Sequence, residues 1–309
     1  MVVVSGSNAQ QVAEQLAQSL DWKHVKLEAR RFPDSEGYIR IPEDEIEAIR
    51  SEPVVVVSNT FPDAGIVETM LILKAVSDVR KGSMENLRGI EPQKMEDIGP
   101  GVYLAVPYFG YSRQDKRFKP GEVISARAIA DMLASQCDGI TVLDLHAPEV
   151  LQNFSVPVAF TSAMPELASH LKNEVNPDFI LSPDKGAIDR ASQVANLIGC
   201  EFSYLEKTRI DAHTIVHKAK DLDVKGKIVA IVDDMIATGG TICRAAEALR
   251  SQGAVEVHAA CSHGLFTGGA IRRLTQYVDG VHATGSPSNP RSVIDAGEAL
   301  ARGIHQLLE

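Results

Sequence analysis

Two adjacent carboxylates, Asp233 and Asp234, stand between an apolar run, Ile228–Val232, and a small hydroxyl-bearing turn, Ala237-Thr238-Gly239-Gly240-Thr241. A helical pattern follows and ends near Gly253. A strand that passes through a glycine turn into a helix leaves several backbone N–H groups unpaired and aimed at one spot. Those donors, the helix dipole and the hydroxyls of Thr238 and Thr241 suit a phosphate dianion. Carboxylates beside such a cradle repel the phosphate, so their use lies elsewhere, and accepting hydrogen bonds from sugar hydroxyls is the natural one. The stretch therefore predicts a site for a phosphorylated sugar at the carboxyl end of a strand, where open α/β sheets place their ligands. The plain alternative is an ordinary βα turn with Thr and Gly at its cap, which leaves the paired acids without a purpose.

Other segments carry chemistry of a complementary kind. Tyr108–Pro120 follows an apolar run and packs Arg113, Lys116, Arg117 and Lys119 among tyrosines and phenylalanine. In an acidic chain this local positive patch suits a polyphosphate, since arginine bonds paired oxygens in a fork. The plain alternative is a solvated basic loop. Asp144-Leu145-His146 and Ser182-Pro183-Asp184-Lys185-Gly186 each put chemistry-bearing side chains just past a predicted strand. A His and an Asp could serve Mg²⁺ directly or through its waters, although the spacing alone is a weak signal. Lys207 and Arg209 open a polar region without hydrophobic period that runs to about Lys225. Two cations on a closing loop would stabilise charge that develops during a transfer. No GxxxxGK[ST] loop is present, so a nucleotide would be held by other means.

The elements that must position these residues alternate between short apolar strands and amphipathic helices in both halves of the chain, which predicts an α/β protein of two mainly parallel sheets. Strands are expected at Met1–Ser5, Val54–Val57, Val102–Pro107, Ile140–Leu145, Phe179–Leu181, Glu201–Leu205 and Val255–Ser262, and helices between them. Ser7 or Asn8 is expected to cap the helix Ala9–Leu20, and Gly82–Gly101 reads as a long surface loop. The 309 residues, 44% of them hydrophobic, suffice for two globular domains of about 150 residues each. A net charge of -10 disfavours general binding to nucleic acid or membrane surfaces. No signal peptide is visible, and no run approaches the ~18 apolar residues of a membrane span. The four cysteines, Cys137, Cys200, Cys243 and Cys261, lack zinc spacing and read as reduced core residues of a cytoplasmic protein.

Taken together, the segments RRFPDSEGYIRI, PYFGYSRQDK, DLHA, SPDKGA, EKTR, VDDMIATGGT and HGLFTGGAIRRL resemble the ribose-phosphate pyrophosphokinase (phosphoribosyl pyrophosphate, PRPP, synthetase) family over nearly the whole chain. VDDMIATGGT alone is shared with the wider phosphoribosyltransferase superfamily; its combination with PYFGYSRQDK, DLHA and RRFPDSE is what is specific. The resemblance implies two type I phosphoribosyltransferase-like domains, at 1–152 and 153–294, with the last helix, 295–309, returning to the first. It implies transfer of the diphosphoryl group of ATP to the C1 hydroxyl of ribose 5-phosphate. By resemblance, Asp233, Asp234 and the loop Ala237, Thr238, Gly239, Gly240, Thr241 would bind ribose 5-phosphate. Arg113, Gln114 and Asp115 would bind ATP, with Phe32, Asp34 and Glu36 reaching it from a neighbouring subunit, so self-association is expected. His146 and Asp184 would serve Mg²⁺, and Lys207 and Arg209 would act on the transferring group. Against the family's commonest pattern, Ser35 replaces a usual glycine, which would shape the turn differently; Ala187 replaces a frequent glycine, which would narrow the phosphate approach; and Ala237 replaces a frequent acid, which points to the archaeal-type branch. Two other readings are a PRPP-consuming phosphoribosyltransferase, which gives no use to the first 150 or so residues, and a catalytically silent regulatory homologue, which would be expected to have lost His146, the acids or the Lys207/Arg209 pair.

Overall fold

The computed structural model describes residues 1–82, 99, 101–147, 149, 154–209, 215–218 and 222–309, with 206–209 and 215–218 described by their backbone. The expected surface loop Gly82–Gly101 thus lies outside the described residues except at positions 82, 99 and 101. The chain divides into two compact units, Met1–Thr161 with Ala296–Glu309, and Ser162–Asp295.

The first unit is built from β1 (Val2–Ser5), α1 (Gln10–Leu20), β2 (Lys23–Lys26), β3 (Glu28–Arg31), β4 (Gly37–Arg40), α2 (Ile46–Ser51), β5 (Val54–Val57), α3 (Asp63–Arg80), β6 (Val102–Val106), α4 (Ser125–Ala134), β7 (Gly139–Leu143) and β8 (Val158–Thr161). Its main sheet has the order β2-β1-β5-β6-β7-β8, all parallel. Val2–Val4 and Val54–Val57 are unbroken apolar runs because both faces of the sheet are covered, and each of these valines is buried. Full burial of one such side chain stabilises by about 1.5–3 kcal/mol. β8 sits at the edge of this sheet, so the compact unit runs past residue 152 to Thr161. β3 and β4 form a separate antiparallel hairpin. Ser7 and Asn8 do not cap α1; Ala9 holds the N-cap position with no side-chain bond. Both side chains bond elsewhere, Ser7 to Glu68 of α3 and Asn8 to Asn59 after β5.

The second unit contains α5 (Met164–Glu174), β9 (Phe179–Ser182), α6 (Ile188–Ile198), β10 (Glu201–Tyr204), β11 (Glu206–Arg209), β12 (Ile215–Lys218), β13 (Ile228–Ile236), α7 (Gly240–Ser251), β14 (Glu256–Gly264), α8 (Ala270–Leu274), β15 (Gly280–Ser286) and β16 (Ser292–Ile294). Its sheet order is β10-β9-β13-β14-β15-β16, again all parallel. β13 runs to Ile236, past the Val232 expected from the apolar run, because its ladder with β14 continues through Asp233–Cys261 and Ile236–Gly264. The paired acids are therefore strand residues. The polar stretch after Glu206 contains an antiparallel ribbon, β11 with β12, that the absence of hydrophobic period had hidden. Backbone pairing of that kind needs no sequence period.

Three histidines line up beside α5: His170 Nε2 lies 2.9 Å from His282 Nδ1, and His282 Nε2 lies 3.2 Å from His258 Nδ1. The row ends at Glu256, 3.3 Å from His258 Nε2.

The last helix, α9 (Gly297–Leu308), belongs to the first unit and packs on α1, β7 and β8. A Cβ on Gly303 would lie 2.0 Å from Thr141 Oγ1, so glycine is what admits the helix to the sheet. Cys137, Cys243 and Cys261 are buried free thiols, whereas Cys200 is half-buried rather than a core residue. Burial pushes the Cys137 thiol up to about 12, which keeps it protonated. Among the described residues no helix is long and apolar enough to cross a membrane.

Candidate functional site

In the second unit the crevice lies between β9 and β13, where the order of the sheet reverses. The turn Ala237-Thr238-Gly239 leads from β13 into α7. Gly239 takes φ 74°, and a Cβ there would also lie 3.0 Å from Leu274, so both backbone and packing select glycine. The turn's carbonyls are drawn outward. Ile236 O accepts from the N–H groups of Leu265 and Phe266, each at 3.1 Å, and Ala237 O accepts from Thr267 N–H at 3.0 Å. The Arg273 guanidinium donates to Thr238 O and, at 3.2 Å, to Gly268 O. With carbonyls tied on one side, the first N–H groups of α7, which receive no side-chain cap, present positive partial charge on the other. Thr238 is exposed and Gly240 and Thr241 are half-buried at this helix start.

The acids converge on the same end of the sheet. Asp233 is half-buried and its Oδ1 accepts the Asp234 N–H at 2.9 Å. Asp234 is buried and pairs with Arg190 of α6 at 3.5 Å. Asp184, past β9, caps a 3-10 turn by accepting Gly186 N–H at 2.9 Å. Burial, then the charge and hydrogen bonding of Asp234, then the charge of Asp184, hold the Asp233 carboxyl well above the usual carboxylate range. Such an acid ionises more readily once donors arrive, and sugar hydroxyls are donors. Ala187 is buried at φ -103°, a conformation any residue adopts, so the expected narrowing from a missing glycine is not a matter of backbone. Lys207 and Arg209 occupy alternate positions of β11, opposite His217 and Ile215 of β12.

In the first unit, Arg113, Gln114 and Asp115 lie on the loop after β6; Arg113 is exposed and the other two half-buried. The loop is anchored by Asn59 and Thr60 after β5, and by Tyr111, whose hydroxyl donates to Asp63 Oδ1 at 2.6 Å. That bond lifts the Tyr111 phenol above its usual value. Phe32, Asp34 and Glu36 sit at the tip of the β3–β4 hairpin. The tip is ordered by Phe32 N–H to Glu36 O at 2.9 Å, Glu36 N–H to Asp34 Oδ1 at 3.0 Å and Arg30 stacked 4.2 Å over the Tyr38 ring. Ser35 takes φ 75°, the region where glycine is at ease, so the departure from glycine leaves the turn shape in place under strain. His146 is exposed just past β7. In neither unit do three or more His, Cys, Asp or Glu side chains gather as a metal cage among the described residues.

Sequence reasoning missed Arg190, Arg273, Asn59, Thr60 and Asp63. Arg190 lies three positions past the end of SPDKGA, and Arg273 stands inside HGLFTGGAIRRL, so the signal was adjacent in one case and within a recognised segment in the other. The residues after β5 lay in a stretch with no charge cluster to draw attention.

Two family profiles match the chain. One, described as "N-terminal domain of ribose phosphate pyrophosphokinase", covers residues 1–136, and the other, "Phosphoribosyl transferase domain", covers 158–281. The chain is 35% identical to a ribose-phosphate pyrophosphokinase of Methanopyrus kandleri over 99% of each chain. It is 38% identical to that of Thermococcus kodakarensis over 88% of this chain and 89% of the relative. Among solved structures it resembles phosphoribosylpyrophosphate synthetase from Mycobacterium smegmatis, with TM-score 0.78 and 26% identity over 99% of this chain and 98% of that one.

Proposed function

This chain belongs to the ribose-phosphate pyrophosphokinase family, and from that membership we propose how its own residues carry the reaction. The reaction moves the diphosphoryl group of ATP onto the C1 hydroxyl of ribose 5-phosphate, giving PRPP and AMP. The hydroxyl oxygen bonds to the β-phosphorus, the bond from that phosphorus to the α,β-bridging oxygen breaks, and the hydroxyl proton leaves to solvent. A consumer of PRPP would need only the second unit, whereas the resemblance spans both.

The turn Ala237–Thr241 takes the 5-phosphate, because its outward-tied carbonyls leave N–H groups and the α7 dipole facing the anion. Asp233 accepts from the ribose hydroxyls. Asp234, paired with Arg190, holds Asp233 in place through its backbone N–H and contributes a charge that is partly offset. Arg113, Gln114 and Asp115 bind ATP, and the hairpin tip with Phe32, Asp34 and Glu36 completes that site from a second copy of the chain. Lys207 and Arg209 meet the transferring group. Mg²⁺ is bound sparsely by proteins, through one or two side chains with phosphates and water, and His146 of the first unit and the Asp184 carboxylate of the second each fit that pattern better than a cage. It would supply neutralisation of phosphate charge, and positioning by the residues above does the rest.

The observation that carries this reading is the convergence of Asp233, Asp234 and Asp184 beside an uncapped helix start. Incubation with Mg²⁺, ATP and ribose 5-phosphate should yield AMP in step with PRPP. ADP as the nucleotide product would contradict it.

A further inference from the structure

The first unit has the same reversal of strand order as the second, between β1 and β5, and topology alone would place a ligand crevice there. Two asparagines close it. Asn8, in the turn after β1, accepts on Oδ1 from the Asn59 N–H at 3.0 Å and from Ser58 Oγ at 3.1 Å, and donates from Nδ2 to Asn59 O at 3.1 Å. Asn59 returns the bond, donating from Nδ2 to Asn8 O at 2.7 Å. Its remaining Oδ1 accepts the Tyr108 N–H at 2.9 Å. Each amide faces an obligatory backbone donor and an obligatory backbone acceptor, which fixes its orientation. Thr60 adds two contacts to the same segment, Oγ1 accepting Gly110 N–H at 2.7 Å and its own N–H donating to Tyr108 O at 3.1 Å.

The bonds of Asn59 and Thr60 to Tyr108 and Gly110 hold the first residues after Pro107 leaves β6, and so the root of the loop that carries Arg113, Gln114 and Asp115, while Asn8 holds Asn59. Gly110 is confined further: a Cβ would lie 2.2 Å from Thr60 O. Phe109 between the anchors is buried in the core. From Gly110 to Arg113 the chain spans up to about 10 Å, so a tilt of ~10° at the root moves the guanidinium by roughly 2 Å. A misplacement of ~1 Å can cost ~100-fold in rate.

We propose that Asn59 and Thr60 are positioning residues for the nucleotide loop Tyr108–Asp115, and that Asn8 acts through Asn59. The inference rests on the assignment of that loop to ATP. The crevice of the first unit holds no second sugar phosphate; its polar groups are spent on aiming the loop.

The full chain tests this with steady-state kinetics and amide hydrogen exchange, folding being checked by thermal melting. Thr60→Val keeps the shape and removes the acceptor for Gly110. It should lower kcat/KM for ATP by about tenfold or more, while the KM for ribose 5-phosphate stays within about twofold. Thr60→Ser restores the acceptor and should restore ATP kinetics. Asn8→Ser touches no loop residue, yet should give the same ATP-selective loss, and adding it to Asn59→Asp should cost little more than Asn59→Asp alone. Equal losses on both substrates, or no loss in a folded variant, overturn the proposal. If the wild-type chain forms no AMP, the assignment of function has failed instead, and exchange at the Gly110 N–H still decides the clasp: protection lost in Thr60→Val supports it, and protection retained removes it.

Discussion

Followed to their carboxyl ends, β1 and β5 in one unit and β9 and β13 in the other arrive at equivalent places with opposite chemistry. The second crevice gathers three carboxylates beside an open helix start, and its cost is visible in Asp233, an acid held above its ordinary ionisation range. The first gathers neutral amides and hydroxyls that satisfy one another. The glycine turn that opens one has as its counterpart Ser58–Gly65, where Pro62 and Asp63 lead into α3. A carboxylate at a helix start repels the anion that the other turn is shaped to receive. One strand order thus gives either a charged, strained pocket or a sealed brace, and a handful of side chains decides between them.

The largest expected effect strikes the charged pocket. Asp233→Asn should weaken ribose 5-phosphate binding by about 100-fold, since a charged acceptor contributes more than a neutral one. Calorimetric titration of the wild type should find one sugar phosphate per chain; a second equivalent, in the first unit, would break the comparison. The same variant should make the unliganded protein more stable. A raised folded-state pKa means the native state binds the proton more tightly than the unfolded one, so stability falls as pH rises through the titration. The gain in melting temperature from Asp233→Asn should therefore appear at pH 8 and vanish at pH 4.

Gly239→Ala is next. Left-handed backbone costs a residue with a Cβ about 1–2 kcal/mol, and Leu274 already stands at 3.0 Å, so a roughly tenfold loss in ribose 5-phosphate affinity is expected with ATP kinetics nearly intact. Loss on the ATP side alone would reverse the roles of the two units. Ser35→Gly, at the hairpin tip of the first unit, should relieve strain and stabilise by up to ~1 kcal/mol, read as a small rise in melting temperature.

The strand runs and the glycine turn were legible because burial on both faces writes a continuous apolar signal, and a phosphate cradle writes Thr and Gly at fixed spacing. Val54–Val57 and Ala237–Thr241 are such cases. What escaped depends on pairing between distant segments. β11 and β12 bond through backbone, and Asn8 meets Asn59 across the whole of α1, β2–β4, α2 and β5. Local reasoning gave Asn8 to the nearest helix start, a sound preference that a better partner overrode. The end of β13 was misjudged because acids are unfavourable in strands, and here the site keeps them there.

The imidazole row beside α5 has a saturable capacity. With one proton in each gap and one toward Glu256, all three rings are neutral, and a fourth proton fits only on the outer nitrogen of His170. A fifth must set two N–H groups against each other. Burial first, then His170, His258 and Arg291, depress His282 to about 4, and burial outweighs Glu174 in lowering His170. The unfolded chain therefore takes up protons first, so the row's contribution is complete above about pH 6.5 and drains away as acidity rises toward pH 4. Replacing His282 with Gln should flatten the decline in melting temperature between those limits; an unchanged decline would show that acid loosens this face of the sheet elsewhere.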